Sequence, residues 1–264
     1  VLVSVFFLVL LYSGAASFDA WQELMLWSGR FDRSQVPADL IPPGADRDRL
    51  TPGDLGRRTF QPFQLVTHAL LHADPFHLAG NMLFLLVFGS RVNALIGNVL
   101  SVLVYPLLAV FAALFQMAAG ADAFVRPMLG ASGAVMGLAG MYFVLFPRHK
   151  VHMLVWYRLG VLFRFRLSFK IFAVRGFWVV LFYIGLDALY TALGADDNVA
   201  RWAHLGGFFT GAILAVGLMM TRLVDARGAD LLTALFGRYA WGIVGRPGRG
   251  ATASHPQDDT GPTP

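Results

Sequence analysis

The chain contains no cysteine, which excludes disulfides and thiolate chemistry. Charge is scarce too: Asp, Glu, Lys and Arg make up 14% of the 264 residues, against about 25% in a typical soluble domain. Acids are missing from residues 147–175, which carry seven Lys or Arg. There is no internal repeat and no line of charged groups through the apolar segments, features a small transporter or channel would usually show. No His-Glu-x-x-His motif occurs, so the histidines do not read as a metal site. Neither a metal nor a cofactor is expected.

What the chain has in quantity is apolar surface. Hydrophobic residues make up 56% of it, with a mean hydropathy of +0.59. Several apolar runs approach or exceed the ~17–25 residues that cross a bilayer. The fold class is therefore an all-α polytopic membrane protein, its core built between spans. Six spans are expected, at about 1–16, 68–89, 99–119, 130–146, 176–193 and 200–221, forming one catalytic domain over 1–221. Residues 1–12 match the core of a signal peptide in length, but no basic leader precedes them and no soluble domain follows, so 1–16 reads as a span. Pro106 inside the third span is tolerable in a membrane helix.

The connections set the orientation. Residues 17–67 form a long polar insert with six Arg, seven Asp or Glu and a net charge of −1. Trp21, Leu24, Met25, Leu26 and Trp27 in it suggest an interfacial helix. The basic 147–175 connection, rich in Phe with Trp156 and Tyr157, is expected partly in the interface and on the cytoplasmic side. An even number of spans then puts both termini in the cytoplasm and the insert outside. The tail, 222–264, has one weak apolar stretch and a Pro/Thr/Asp/Gly-rich end expected to be disordered. The net charge of +5 does not point to nucleic acid, because the basic residues cluster between spans, where topology explains them.

On this topology four polar residues converge near the outer ends of their helices: His77, Asn81, Ser132 and His204. Ser132 lies between Gly130 and Gly133 at the head of the fourth span. It is either a small packing residue or a nucleophile at a helix N-terminus, where unpaired N–H groups favour developing negative charge. Gly133, Gly137 and Gly140 share one helix face, and interior glycine costs roughly 1 kcal/mol relative to alanine, so a second backbone is expected to approach closely. His204 shares a stripe with Gly207 and Gly211 in the sixth span. An intramembrane histidine is a functional hypothesis by default. Two small-residue stripes would bring its imidazole within the ~2.6–3.2 Å needed to take a hydroxyl proton.

His77 and Asn81, at i and i+4 in the second span, suit an oxyanion hole; the plainer alternative is that they bond each other or loop backbone. His68 reads as a loop or interface residue, and Asp74 before Pro75 as a turn or cap. Asp187, inside the fifth span, has two readings: a third member of a catalytic triad, or, the one preferred, a structural or gating hydrogen bond.

These residues match a family. His72-x-x-x-x-His77-x-x-x-Asn81, Gly130-x-Ser132-Gly133 and Ala203-His204-x-x-Gly207-x-x-x-Gly211, in that order, resemble the rhomboid intramembrane serine proteases of the bacterial, six-span type. The resemblance covers roughly residues 67–218, with the first span and its long outer loop. It implies a dyad with Ser132 as nucleophile and His204 as general base. It also implies an oxyanion hole of His77, Asn81 and the Ser132 N–H, and a supporting role for His72 in the outer loop. Gly130, Gly133 and Gly207 support the helix approach. Met136 stands where some members place an aromatic that packs on the base, and a sulfur–aromatic contact with His204 is expected there. Phe63-Gln64 stands where some members carry Trp-Arg. The implied partners are the lipid bilayer and transmembrane protein substrates, entering past the fifth span, in a bacterial inner membrane. A non-cleaving pseudoprotease is the alternative, opposed by intact Ser132 and His204.

Overall fold

The computed structural model describes residues 24–26, 41–51, 53–55, 60–119, 127–159, 166–194 and 199–245. Five apolar helices run through it: α1 Pro75–Ile96, α2 Asn98–Ala119, α3 Ser132–Leu145, α4 Gly176–Ala192 and α5 Arg201–Met220. They correspond to the second to sixth expected spans; the first, 1–16, lies outside the described residues, as does most of the expected interfacial helix. Of these helices α1, α2 and α5 are each long and apolar enough to cross a membrane. A shorter apolar helix, α6 Leu231–Val244, follows them in the tail and accounts for its weak apolar stretch.

Local sequence sets the helix starts. Asp74 caps α1, its Oδ1 accepting from the backbone N–H groups of Phe76 and His77 at 2.8 Å each, and Pro75 occupies the first turn, where its missing N–H costs nothing. The second span therefore begins at Pro75, and Gln64–Thr67 and His68–Leu70 form separate short turns ahead of it. Asp230 caps α6 in the same way, its Oδ1 accepting from the Thr233 N–H at 2.8 Å.

α3 is the centre of the bundle. Twelve of its 14 residues are buried, so it is apolar on every side, as a helix enclosed by others must be. Its 14 residues rise only about 21 Å, well short of the ~30 Å hydrocarbon core. A helix this short cannot by itself span that core, and Ser132 is its N-terminal residue. Tyr142 anchors the other end, its ring 5.0 Å from Phe88 of α1. The core runs through Leu108 and Ala112 of α2, Met141 and Leu145 of α3, and Ala215 and Met219 of α5, all at most 1% exposed.

One element adds to the helical bundle. Lys150–Leu159 (β1) and Arg166–Arg175 (β2) pair antiparallel from Lys150↔Arg175 to Leu159↔Arg166. The basic connection between α3 and α4 is thus a β-hairpin, closed at its base by the Gly176 N–H donating to the His149 carbonyl at 2.8 Å.

Candidate active site

Close helix contact brings the polar residues together. A methyl group on Gly207 of α5 would land on the Gly133 carbonyl, and one on Gly211 would land on the Gly137 carbonyl. The two helix backbones touch there, and only hydrogen fits between them. One turn before Gly207, that contact carries His204 over the first residue of α3. Its Nε2 lies 2.8 Å from Ser132 Oγ. Its Nδ1 lies 2.8 Å from Asp187 Oδ2 of α4. A carboxylate only accepts, so Nδ1–H donates to it and Nε2 is left to accept the Ser132 hydroxyl proton. The His204 and Asp187 side chains are 15% and 19% exposed.

The turn before Ser132 needs glycine. Gly130 has φ +124°, a conformation that side chains rarely adopt. A Cβ there would sit 2.8 Å from His77 Cε1 and 3.0 Å from its Nε2. The His77 ring therefore lies against Gly130, and the same Cβ position is 3.7 Å from Ser132 Oγ. No side chain caps the N-terminus of α3, so the first-turn N–H groups, which have no partner within the helix, point to the end where Ser132 sits. His72 packs edge-on against His77, with ring centroids 5.2 Å apart.

The Asn81 amide donates to the His77 backbone carbonyl at 3.1 Å, and no hydrogen bond joins it to Ser132 among the described residues. Met136 is 6% exposed and packs in the apolar core. His68, read as a loop or interface residue, is 2% exposed. Its Nδ1–H donates to the Gln64 carbonyl at 2.8 Å, and its own carbonyl accepts from the Gly130 N–H at 2.9 Å.

Three supports were not anticipated. Gln116 of α2, 8% exposed, accepts the Ala203 N–H at 3.0 Å and so satisfies a first-turn donor of α5 beside His204. Leu26 and Met128 exchange two backbone hydrogen bonds of 2.9 Å, tying the long insert to the segment before Gly130. Thr67 Oγ1 donates to the Leu24 carbonyl at 2.8 Å. A lone Gln at the end of an apolar span was the available signal for the first; nothing in the sequence marks the other two.

A family model described as the Rhomboid domain matches residues 59–221. The chain belongs to the rhomboid family. No curated protein matches it. Rhomboid proteins are generally serine intramembrane proteases that act on transmembrane substrates within the bilayer, and inactive members exist. As a rhomboid with these apolar helices, the chain is an integral multi-pass membrane protein.

Proposed function

We propose that this rhomboid is an active intramembrane serine endopeptidase using Ser132 and His204 as a dyad. The observation that carries the reading is the 2.8 Å contact between His204 Nε2 and Ser132 Oγ, held by helices packed too tightly to drift apart. As His204 takes the hydroxyl proton, Ser132 Oγ bonds to the scissile carbonyl carbon. The oxyanion is held by His77, by the Ser132 N–H at the head of α3, and by Asn81 once its amide turns from the His77 carbonyl. Each donor of this kind is worth on the order of 10²–10³ in rate. His204 then gives the proton to the leaving nitrogen as the C–N bond breaks, and water, with His204 again as base, releases the acyl group.

The same proposal extends to topology. With residues 1–16 as the first of six spans, both termini are cytoplasmic, the β-hairpin faces the cytoplasm and the site opens to the outer face of a bacterial inner membrane. Residues 1–221 form the catalytic domain and 222–264 the cytoplasmic tail, α6 included.

Ser132→Ala and His204→Ala test the chemistry against a non-cleaving binder. Purified wild type is expected to cut a reporter transmembrane substrate and to be labelled by a fluorophosphonate. Each variant is expected to lose on the order of 10⁴ or more in cleavage rate and to lose the label. Equal labelling of both variants and wild type would sink the dyad.

A further inference from the structure

We infer that Asp187 is a positioning residue for His204, and that because α4 carries it, the base is aligned only while the outer half of α4 is docked on α5. The inference rests on the proposed protease reading and assigns the carboxylate bonded to His204, which that reading leaves unused.

Two sets of observations support it. The first is the bond itself. Asp187 Oδ2 is 2.8 Å from His204 Nδ1, while Ser132 Oγ is 2.8 Å from Nε2. The carboxylate selects the tautomer with its proton on Nδ1, fixes the ring plane and compensates the imidazolium that forms when Ser132 is deprotonated. His77 of α1 is a further titratable group near this imidazole. Asp187 is thus the group placed to hold Nδ1.

The second is how α4 is held. Its buried residues are Gly176, Val180 and Ile184, one face of the inner half. At the inner end Gly176 lies against the Tyr142 ring of α3. In mid-helix, Tyr183 meets Phe84 of α1 edge-on with centroids 4.6 Å apart. Beyond Ile184 no residue of α4 is buried, and Leu189 and Leu193 are 52% and 70% exposed. Among the described residues, two polar ties are seen on the face that continues the buried stripe. One is Asp187 to His204; the other is Tyr190, whose ring lies 5.2 Å from the Arg201 guanidinium carbon at the head of α5. Asp187 and Tyr190, at i and i+3, stand together on one side of the helix. The outer half of α4 is therefore fastened to α5 by polar contacts, and one of them is the base's own orienting bond. When that half moves away, His204 loses its Nδ1 acceptor. Its link to Ser132 stays, because α3 and α5 carry both residues.

The test is a double-mutant cycle on full-length protein in vesicles, reading kcat and KM for a reporter transmembrane substrate, fluorophosphonate labelling rate and thermal stability. Asp187→Asn is isosteric and is expected to lower kcat and labelling rate about 10²-fold, with KM and thermal stability close to wild type. Asp187→Glu is expected to recover part of kcat, which a space-filling role would not explain. Tyr190→Ala leaves the carboxylate in place and loosens its helix; a several-fold loss in kcat is expected. In the Asp187→Asn background the same change is expected to have no further effect, because the orienting bond is already gone. The inference is overturned if Asp187→Asn labels and cleaves at the wild-type rate, if its defect lies in KM or thermal stability alone, or if the two losses multiply. If wild type itself is neither labelled nor active, the protease reading falls and takes this inference with it. If wild type is active and Asp187→Asn matches it, the inference alone falls.

Discussion

α3 and α4 lie side by side, and both contribute a side chain to one hydrogen-bonded line, yet they are held by different physics. α3 is buried on every side, and the backbone of α5 rests on its glycine carbonyls. α4 buries three residues on one stripe of its N-terminal half, and its C-terminal half is tied by a carboxylate and an aromatic ring. Close-packed backbones have two states, in contact or forced apart, because interiors deform little. Polar ties at a half-exposed edge break and reform at small cost. The Ser132–His204 distance is thus set by the rigid pair, and the orientation of the imidazole's far nitrogen by the looser helix. On the proposed protease reading, this division of work lets a transmembrane segment enter without loss of the dyad.

The sharpest way to break this contrast is to place a methyl group where the backbones touch. Gly207→Ala and Gly211→Ala each put a Cβ onto a backbone carbonyl of α3. Each is expected to cost about 3 kcal/mol of stability, the upper end for overpacking. The shift also widens the Ser132–His204 contact, and reporter cleavage is expected to fall at least about 10²-fold, as for an angstrom-scale misplacement. Gly217→Ala on the same helix meets open space and serves as the control. Thermal unfolding in detergent and cleavage assays read both. Wild-type behaviour of Gly211→Ala would show that the two helices are not locked.

A smaller effect tests the floor under Ser132. His68 lies ahead of α1, outside the spanning helices, and holds the Gly130 N–H through its carbonyl. Burial pushes its imidazole down to about 4, against the opposing pull of the Gln64 carbonyl. A lowered histidine favours the folded state fully only above its ordinary value near 6.5, and that contribution is lost as pH falls toward 4. Lowering the pH from 7.5 to 5.5 is expected to cost about 1 kcal/mol at this group. His68→Gln, which keeps a donor for Gln64, is expected to flatten the thermal-unfolding profile over that range. An unchanged profile would remove His68 as its cause.

What the sequence disclosed and what it hid follow from the same contrast. Contacts made by backbone on backbone leave glycine at fixed spacing, and Gly133, Gly137, Gly207 and Gly211 are visible as such. Ser132 and His204 are legible because a hydroxyl and an imidazole beside those stripes have few other reasons to be there. Contacts made by one side chain on a distant helix leave no period. Whether Asp187 meets His204 or lipid depends on the rotation of α4, which a sequence with apolar residues on all sides of that helix does not state. The Leu26–Met128 bridge joins residues about a hundred positions apart and uses backbone alone. Residues 147–175 pointed to an interfacial connection through their charge and aromatic content, but the alternation that marks a strand is blurred there by Leu, Phe and Arg on both sides. Gln116 is one polar residue at the end of an apolar span, and its role appears only once Ala203 is beside it.

The smallest effect separates the two helices most cleanly, because it is the same chemical change with the opposite sign. Gly185 of α4 has nothing within 4 Å of an added Cβ, and it lies between the buried stripe and the two polar ties. Alanine there fills no occupied space and removes the entropy cost of an interior helical glycine. Gly185→Ala is expected to stabilise the protein by about 0.5 kcal/mol, read as a slightly higher unfolding temperature, while Gly211→Ala lowers it. If the mobility of α4 contributes to substrate entry, the stiffer helix also turns over more slowly at unchanged fluorophosphonate labelling, since a small probe needs the aligned dyad but no lateral opening. A destabilised Gly185→Ala would mean that the outer half of α4 is packed against a partner, and the division between a rigid pair and a loosely tied helix would have to be abandoned.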